Sequence, residues 1–189
     1  MGALVLSEEG AVDMNIIQDL IPKGRINRPG TANSREYITI HETGNKTAGA
    51  GAEAHANYIK TLKSKTSWHY TVDDASIYQH IPDNEKSYHT SDKAANETSI
   101  SIELCVNSDG DFYKTVNNAV WLVCKLMKKY KIPAENIRSH RDWTGKNCPA
   151  QLVGEKWDEF ISLCSAEKDT EKFISIEELK DMGYIGIKW

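Results

Sequence analysis

Ser99-Ile100-Ser101-Ile102-Glu103-Leu104-Cys105-Val106 alternates without a break between apolar and small or polar side chains. A strand has a side-chain period of two. Ile100, Ile102, Leu104 and Val106 therefore take one face of a sheet, and Ser101, Glu103 and Cys105 the other. Glu103 stands as a carboxylate in a row of small neighbours. Upstream, Tyr37-Ile38-Thr39-Ile40-His41 repeats the pattern, with Ile38 and Ile40 on one face and Tyr37, Thr39 and His41 on the polar one.

Outward from these strands the signals change period. Residues 27–33, rich in Gly, Pro and Asn, read as a loop that delivers the chain into the first strand. Residues 43–51 form a second loop, and residues 53–63 place Ala56, Tyr58, Ile59 and Leu62 at helical spacing. Strands are expected from Trp68 to Val72 and from Ile77 to Ile81, turning at Asp73-Asp74, and Asp109-Gly110 marks another turn. Val116, Val120, Val123, Met127 and Tyr130 recur at threes and fours, as in a long amphipathic helix whose apolar residues are core. Ile137 to His140 is a short extended piece running into a loop from Arg141 to Pro149. Trp157, Phe160, Ile161 and Cys164 mark a last helix. Strands interspersed with helices predict an α/β domain, a mixed central β-sheet flanked by helices.

That domain is expected over residues 14–165. Residues 1–13 precede a second methionine, Met14, and read as a leader or appended arm. Residues 166–189 read as a polar linker followed by a short helical tail carrying Ile176, Leu179 and Met182 before Gly183.

At 189 residues and 40% hydrophobic, the chain can bury a core without staples. Its 23 basic and 27 acidic residues give 23 − 27 = −4, with no basic run, which argues against nucleic acid or an anionic membrane as partner. Cys105, Cys124, Cys148 and Cys164 form no CxxC pair, so neither a zinc ribbon nor a thioredoxin-like site is available. Three of them fall in apolar stretches as small buried hydrophobes. No apolar run reaches a membrane-spanning length, and the N-terminus lacks the order of a signal peptide. The expectation is a chain made in the cytoplasm without a signal peptide.

Two familiar motifs fail. His41-Glu42 would open an HExxH helix, but position 45 is asparagine and the segment alternates as a strand. Gly44-Asn45-Lys46-Thr47 lacks the glycine a phosphate loop needs before its lysine. The informative piece is His140-Arg141-Asp142-Trp143-Thr144-Gly145-Lys146-Asn147-Cys148-Pro149. A histidine and a cysteine across a loop bent by glycine and stopped by proline can converge on one ion. Zinc suits imidazole with thiolate, and a catalytic site needs three protein ligands plus an open position. His41, ending a strand on the polar face, supplies the third. Each histidine taken alone is an ordinary polar residue; the three ligands together are not.

The runs Tyr37 to Thr43, Ser67-Trp68-His69-Tyr70-Thr71-Val72, Ser101 to Cys105 and Ser139 to Pro149 resemble the type-2 N-acetylmuramoyl-L-alanine amidases. The likeness is strongest to the amidase domains of phage and prophage endolysins of Gram-positive bacteria, and it covers about Met14 to Cys164. The resemblance implies one zinc per chain at the bottom of a groove on one sheet face, held by His41, His140 and Cys148. It also implies catalytic roles for Glu103 and Lys146. Part of the family has a catalytic tyrosine where this chain has Trp68, whose indole cannot exchange a proton, so proton transfer falls to Glu103. Lys146 would stabilise the oxyanion. His89 and Trp68 are expected to contact substrate, and His69 and His80 to serve structure or orient a ligand. Against these stand plainer readings of Glu103 as a strand carboxylate paired to a lysine and Lys146 as a solvated loop residue.

The implied activity is hydrolysis of the bond between N-acetylmuramic acid and L-alanine, with peptidoglycan as partner, no integral membrane association and a monomeric chain reaching the wall after release. A non-catalytic peptidoglycan recognition module of the same fold is the competing reading. Such binders typically lack the metal-binding cysteine, and here Cys148 and Lys146 are both present.

Overall fold

A computed structural model describes residues 14–166 of the chain. The expected arm and the expected tail helix lie outside these residues. Strands β1 (Ile16–Gln18), β2 (Tyr37–Glu42), β3 (Tyr70–Val72), β4 (Ile77–Gln79), β5 (Ser99–Leu104) and β6 (Ile137–Ser139) form one sheet in the order β1-β4-β3-β5-β2-β6. All neighbours are parallel except β3 and β4, so the sheet is mixed, as the strand and helix pattern predicts.

The alternation in β2 and β5 sorts the two faces. Ile38, Ile40, Ile100, Ile102 and Leu104 are fully buried against α3 (Phe112–Tyr130), which contributes Val116, Val120, Val123 and Met127 to the same core. Each such side chain contributes about 1.5–3 kcal/mol of transfer free energy, which makes this face the anchor of the domain. Asp111 caps α3 by accepting from the Tyr113 and Lys114 amides, four positions before the first buried residue of the helix, Thr115. Helix α5 (Glu155–Ala166) closes the same layer through Phe160, Leu163 and Cys164.

The opposite face keeps the polar row. His41 on β2 pairs in register with Glu103 on β5, which pairs with Thr71 on β3. Helix α1 (Ala52–Thr61) covers one end of this face, where Ile59 joins Ile21, Trp68 and Ile81 in a smaller cluster. Its entry depends on Gly51, since a Cβ there would lie 2.7 Å from the Asp73 carboxylate that accepts the Ala52 amide at the helix start. Tyr58, expected on the apolar stripe of this helix, is 56% exposed. The buried stripe is instead Ala52, His55, Ala56 and Ile59, with Leu62 partly buried beyond it.

Five elements differ from expectation. The strands expected at Trp68 to Val72 and Ile77 to Ile81 are shorter, because Trp68 and Ile81 leave the ladder to fill the small cluster. The segment after β6 is not loop throughout. It opens with one helical turn, α4 (His140–Thr144), set by a capping box between Ser139 and Asp142. Strand β1 and helix α2 (Lys93–Thr98) have no counterpart in the sequence reading. β1 is a three-residue edge strand with Ile17 exposed, and α2 has no apolar stripe and is started by the Asp92 cap.

Candidate active site

His41 leaves the C-terminal end of β2 on the polar face and is 1% exposed. His140 opens α4, whose cap is reciprocal: Ser139 Oγ accepts from the Asp142 amide while Asp142 Oδ2 accepts from the Ser139 amide at 2.6 Å. Trp143 on the same turn donates from Nε1 to Thr39 Oγ1 at 2.9 Å and stacks edgewise on Tyr37, tying α4 to β2. Gly145 ends the turn in the left-handed conformation (φ 76), which reverses the chain so that Cys148 comes back over His41. The Arg141 amide donates to the Cys148 carbonyl, and Glu42 accepts the Gln151 amide, closing the loop at both ends.

These elements bring His41, His140 and Cys148 together, all buried, with their ligand atoms within 4.8 Å of one another. His41 Nδ1 lies 3.0 Å from His140 Nδ1 and 4.0 Å from Cys148 Sγ. Ligand atoms at about 2.0–2.3 Å from a tetrahedral zinc stand about 3.3–3.6 Å apart, so the triangle suits that ion with little adjustment.

The hydrogen bonds around the triangle support the same reading. The Ala95 carbonyl can only accept, so His89 donates to it from Nε2 at 3.2 Å. His89 Nδ1 is then an acceptor, and His41 donates to it from Nε2 at 2.9 Å. His41 is left with a lone pair on Nδ1, aimed at the ring nitrogen of His140. A cation between them satisfies both. Burial keeps His41 and His140 below the usual imidazole range, favouring the neutral form a metal requires. Burial pushes the Cys148 thiol up to about 11, opposed by the Glu42 amide, so a thiolate here needs a positive partner.

Glu103 sits beside this triangle on the neighbouring strand, half-buried, with Oε2 sealed from solvent and without a hydrogen-bond partner. Burial lifts its carboxyl to about 7, against the pull of Lys146. Among the described residues no lysine is bonded to it. Lys146 is exposed on the rim of a groove of about 600 Å³ that also takes in His89 and His140. A separate cavity of about 370 Å³ is lined by Glu103, Trp68 and residues of α1. Trp68 is 7% exposed and its Nε1 donates to Thr71 Oγ1, so it offers the cavity only its ring. The remaining expected contact, His89, has both ring nitrogens engaged as described.

His69 and His80 are held by hydrogen bonds within the sheet and its loops. His69 donates to the Glu85 carbonyl from Nε2 and accepts the Ser101 amide on Nδ1, while His80 meets Thr71 Oγ1 at 2.8 Å. His55 is a residue the sequence reading passed over. It lines the cavity beside Glu103, and only its place on the α1 stripe, turned toward the polar sheet face, could have drawn attention to it.

Residues 31–151 match the N-acetylmuramoyl-L-alanine amidase family (Amidase_2), and the chain belongs to that family. It is 50% identical over 149 residues to N-acetylmuramoyl-L-alanine amidase XlyA of Bacillus subtilis (strain 168), covering 78% of this chain and 50% of XlyA. It is 43% identical over 162 residues to amidase CwlH of the same organism, covering 84% of this chain and 64% of CwlH. The chain thus spans half of one relative and under two thirds of the other. The solved catalytic domain of XlyA superposes with a TM-score of 0.78 at 48% identity, over 80% of this chain and all of that one. PlyL superposes with a TM-score of 0.74 at 35% identity, over 80% of this chain and 98% of that one.

Proposed function

We propose that this chain hydrolyses the amide between N-acetylmuramic acid and L-alanine in peptidoglycan, with zinc held by His41, His140 and Cys148. The observation that carries the reading is the convergence of those three side chains next to Glu103, in a member of the amidase family. The relatives' names support the bond and the substrate. Among the described residues no helix is long and apolar enough to cross a membrane.

Bound there, zinc supplies Lewis acidity, polarising a carbonyl and lowering the pKa of water to about 7. The protein's own groups do the rest. Glu103 takes a proton from the attacking water as its oxygen adds to the lactyl carbonyl carbon. It returns that proton to the alanine nitrogen as the carbon–nitrogen bond breaks, because an amide nitrogen leaves poorly unless protonated. A carboxyl lifted to about 7 is suited to both halves of that task at neutral pH. Lys146 reaches in from the groove rim to stabilise the developing oxyanion. Trp68, unable to exchange a proton, contributes an apolar wall, and His89 fixes the ring of His41 at the edge of the substrate groove.

The recognition-module reading has no comparable support, since it leaves a buried thiol converging on two buried imidazoles without a task. Digestion of purified peptidoglycan tests the proposal. Free alanine amino termini should appear without new reducing ends, chelation should abolish their release, and zinc should restore it. Cys148→Ser with full zinc and full activity would show that the ligand set is wrong.

A further inference from the structure

The cavity beside Glu103 has a composition that the hydrolytic step does not require. His55, 8% exposed, donates from Nδ1 to the Gly51 carbonyl at 2.9 Å, which leaves the other ring nitrogen, Nε2, proton-free as an acceptor in the neutral ring. Nε2 has no hydrogen-bond partner among the described residues, and it is not one of their sealed atoms, so it opens to the cavity its residue lines. Asn45 accepts the Thr47 amide on Oδ1, leaving its Nδ2 donor for the same space. Between these groups lie Ala50, Ala54 and the ring of Trp68, with Tyr58 at the exposed rim.

The wall carrying Asn45 and Ala50 is held in place. The Gly49 amide donates to both Asp109 carboxylate oxygens at 2.9 and 3.0 Å, and the Ser108 amide donates to the Lys46 carbonyl. The cavity is therefore prepared before any ligand arrives, which lowers the ordering cost of binding.

One acceptor, one donor, small aliphatic walls and an aromatic face together match a secondary amide bearing a methyl group. Resting on the amidase reading, we infer that this cavity is the subsite for the 2-acetamido group of the muramoyl sugar. His55 Nε2 accepts its N–H, Asn45 Nδ2 donates to its carbonyl, and the acetyl methyl packs on Ala50 and Ala54. The sugar face rests against Trp68 and Tyr58. A peptide amide has the same donor and acceptor, but two aromatic side chains lining one cavity favour the sugar. His55 and Asn45 are then specificity residues rather than catalytic ones.

The test compares kcat/KM of the zinc-loaded chain on an N-acetylmuramoyl-L-alanyl peptide and on its analogue with a free 2-amino group. The wild type should prefer the acetylated substrate by about tenfold or more, since the analogue leaves buried polar groups unpaired. In His55→Leu the preference should fall to within about twofold, mainly through KM. Asn45→Ala, at an exposed position, should move it the same way and guards against misfolding of the first variant. Calorimetric binding of N-acetylmuramic acid should weaken about tenfold in both. Binding without any hydrolysis would sink the amidase reading and leave this subsite standing. Hydrolysis without preference for the acetyl group would overturn the subsite and leave the amidase. A preference that follows removal of the residue beyond L-alanine, and not removal of the acetyl group, would also overturn it.

Discussion

His41 Nε2 and His89 Nδ1 lie 2.9 Å apart, and that contact determines which nitrogen of His41 is left for a metal. The order runs from the accepting carbonyl of Ala95, through the N–H of His89 and then that of His41, to the lone pair left on His41 Nδ1. Replacing His89 by alanine frees His41 to rotate and to change tautomer. Zinc affinity should drop about 10- to 100-fold, as measured by competition with a chromophoric chelator. His89→Gln, whose amide oxygen can still accept, should recover part of it. Unchanged affinity in His89→Ala would mean that packing alone orients His41.

Much of this architecture was legible in the sequence because burial and period are local properties. The alternation of Ile38 and Ile40 against Thr39 and His41 specified both faces of β2, and the row Ser101, Glu103 placed the carboxylate beside it. The site was legible through the spacing of His140 and Cys148, since a loop bent at Gly145 can return a cysteine to its starting histidine. What stayed hidden depends on contacts distant in sequence. β1 exists only because β4 offers it a ladder, α2 only because Asp92 caps it, and nothing near His89 or His55 announces their partners. The single turn of α4 was read as loop because five residues cannot display a helical period.

The reciprocal cap at α4 links stability to metal binding. Asp142→Ala removes the acceptor of the Ser139 amide at the residue just before His140. The domain should lose about 0.5–2 kcal/mol in urea titrations. Zinc should also dissociate faster, because His140 is the first residue of the frayed turn. A stability loss with an unaltered zinc off-rate would separate the cap from the metal site.

His80 makes folding sensitive to acid. Burial holds its imidazole at about 4, against an ordinary value of 6.5. Above pH 6.5 the ring is neutral in both folded and unfolded chains and contributes no proton-linked term. As the pH falls toward 4 the unfolded chain takes up the proton and the folded one does not, so stability is lost across that window, by up to a few kcal/mol. The stability of His80→Gln relative to wild type should therefore improve steadily from pH 7 to pH 4.5. A difference that stays constant over that range would contradict the assignment.

The account turns on Glu103 moving the proton, and the direct measurement is the rate at which soluble N-acetylmuramoyl peptides gain free alanine amino termini. Glu103→Gln keeps the shape of the side chain opposite His41, so fold and zinc content should be retained. Turnover by the variant, at zinc content matched to wild type, should fall about 10²- to 10⁴-fold with little change in KM. A rate within about threefold of wild type would contradict the account, leaving Glu103 a structural carboxylate and assigning the proton to another group.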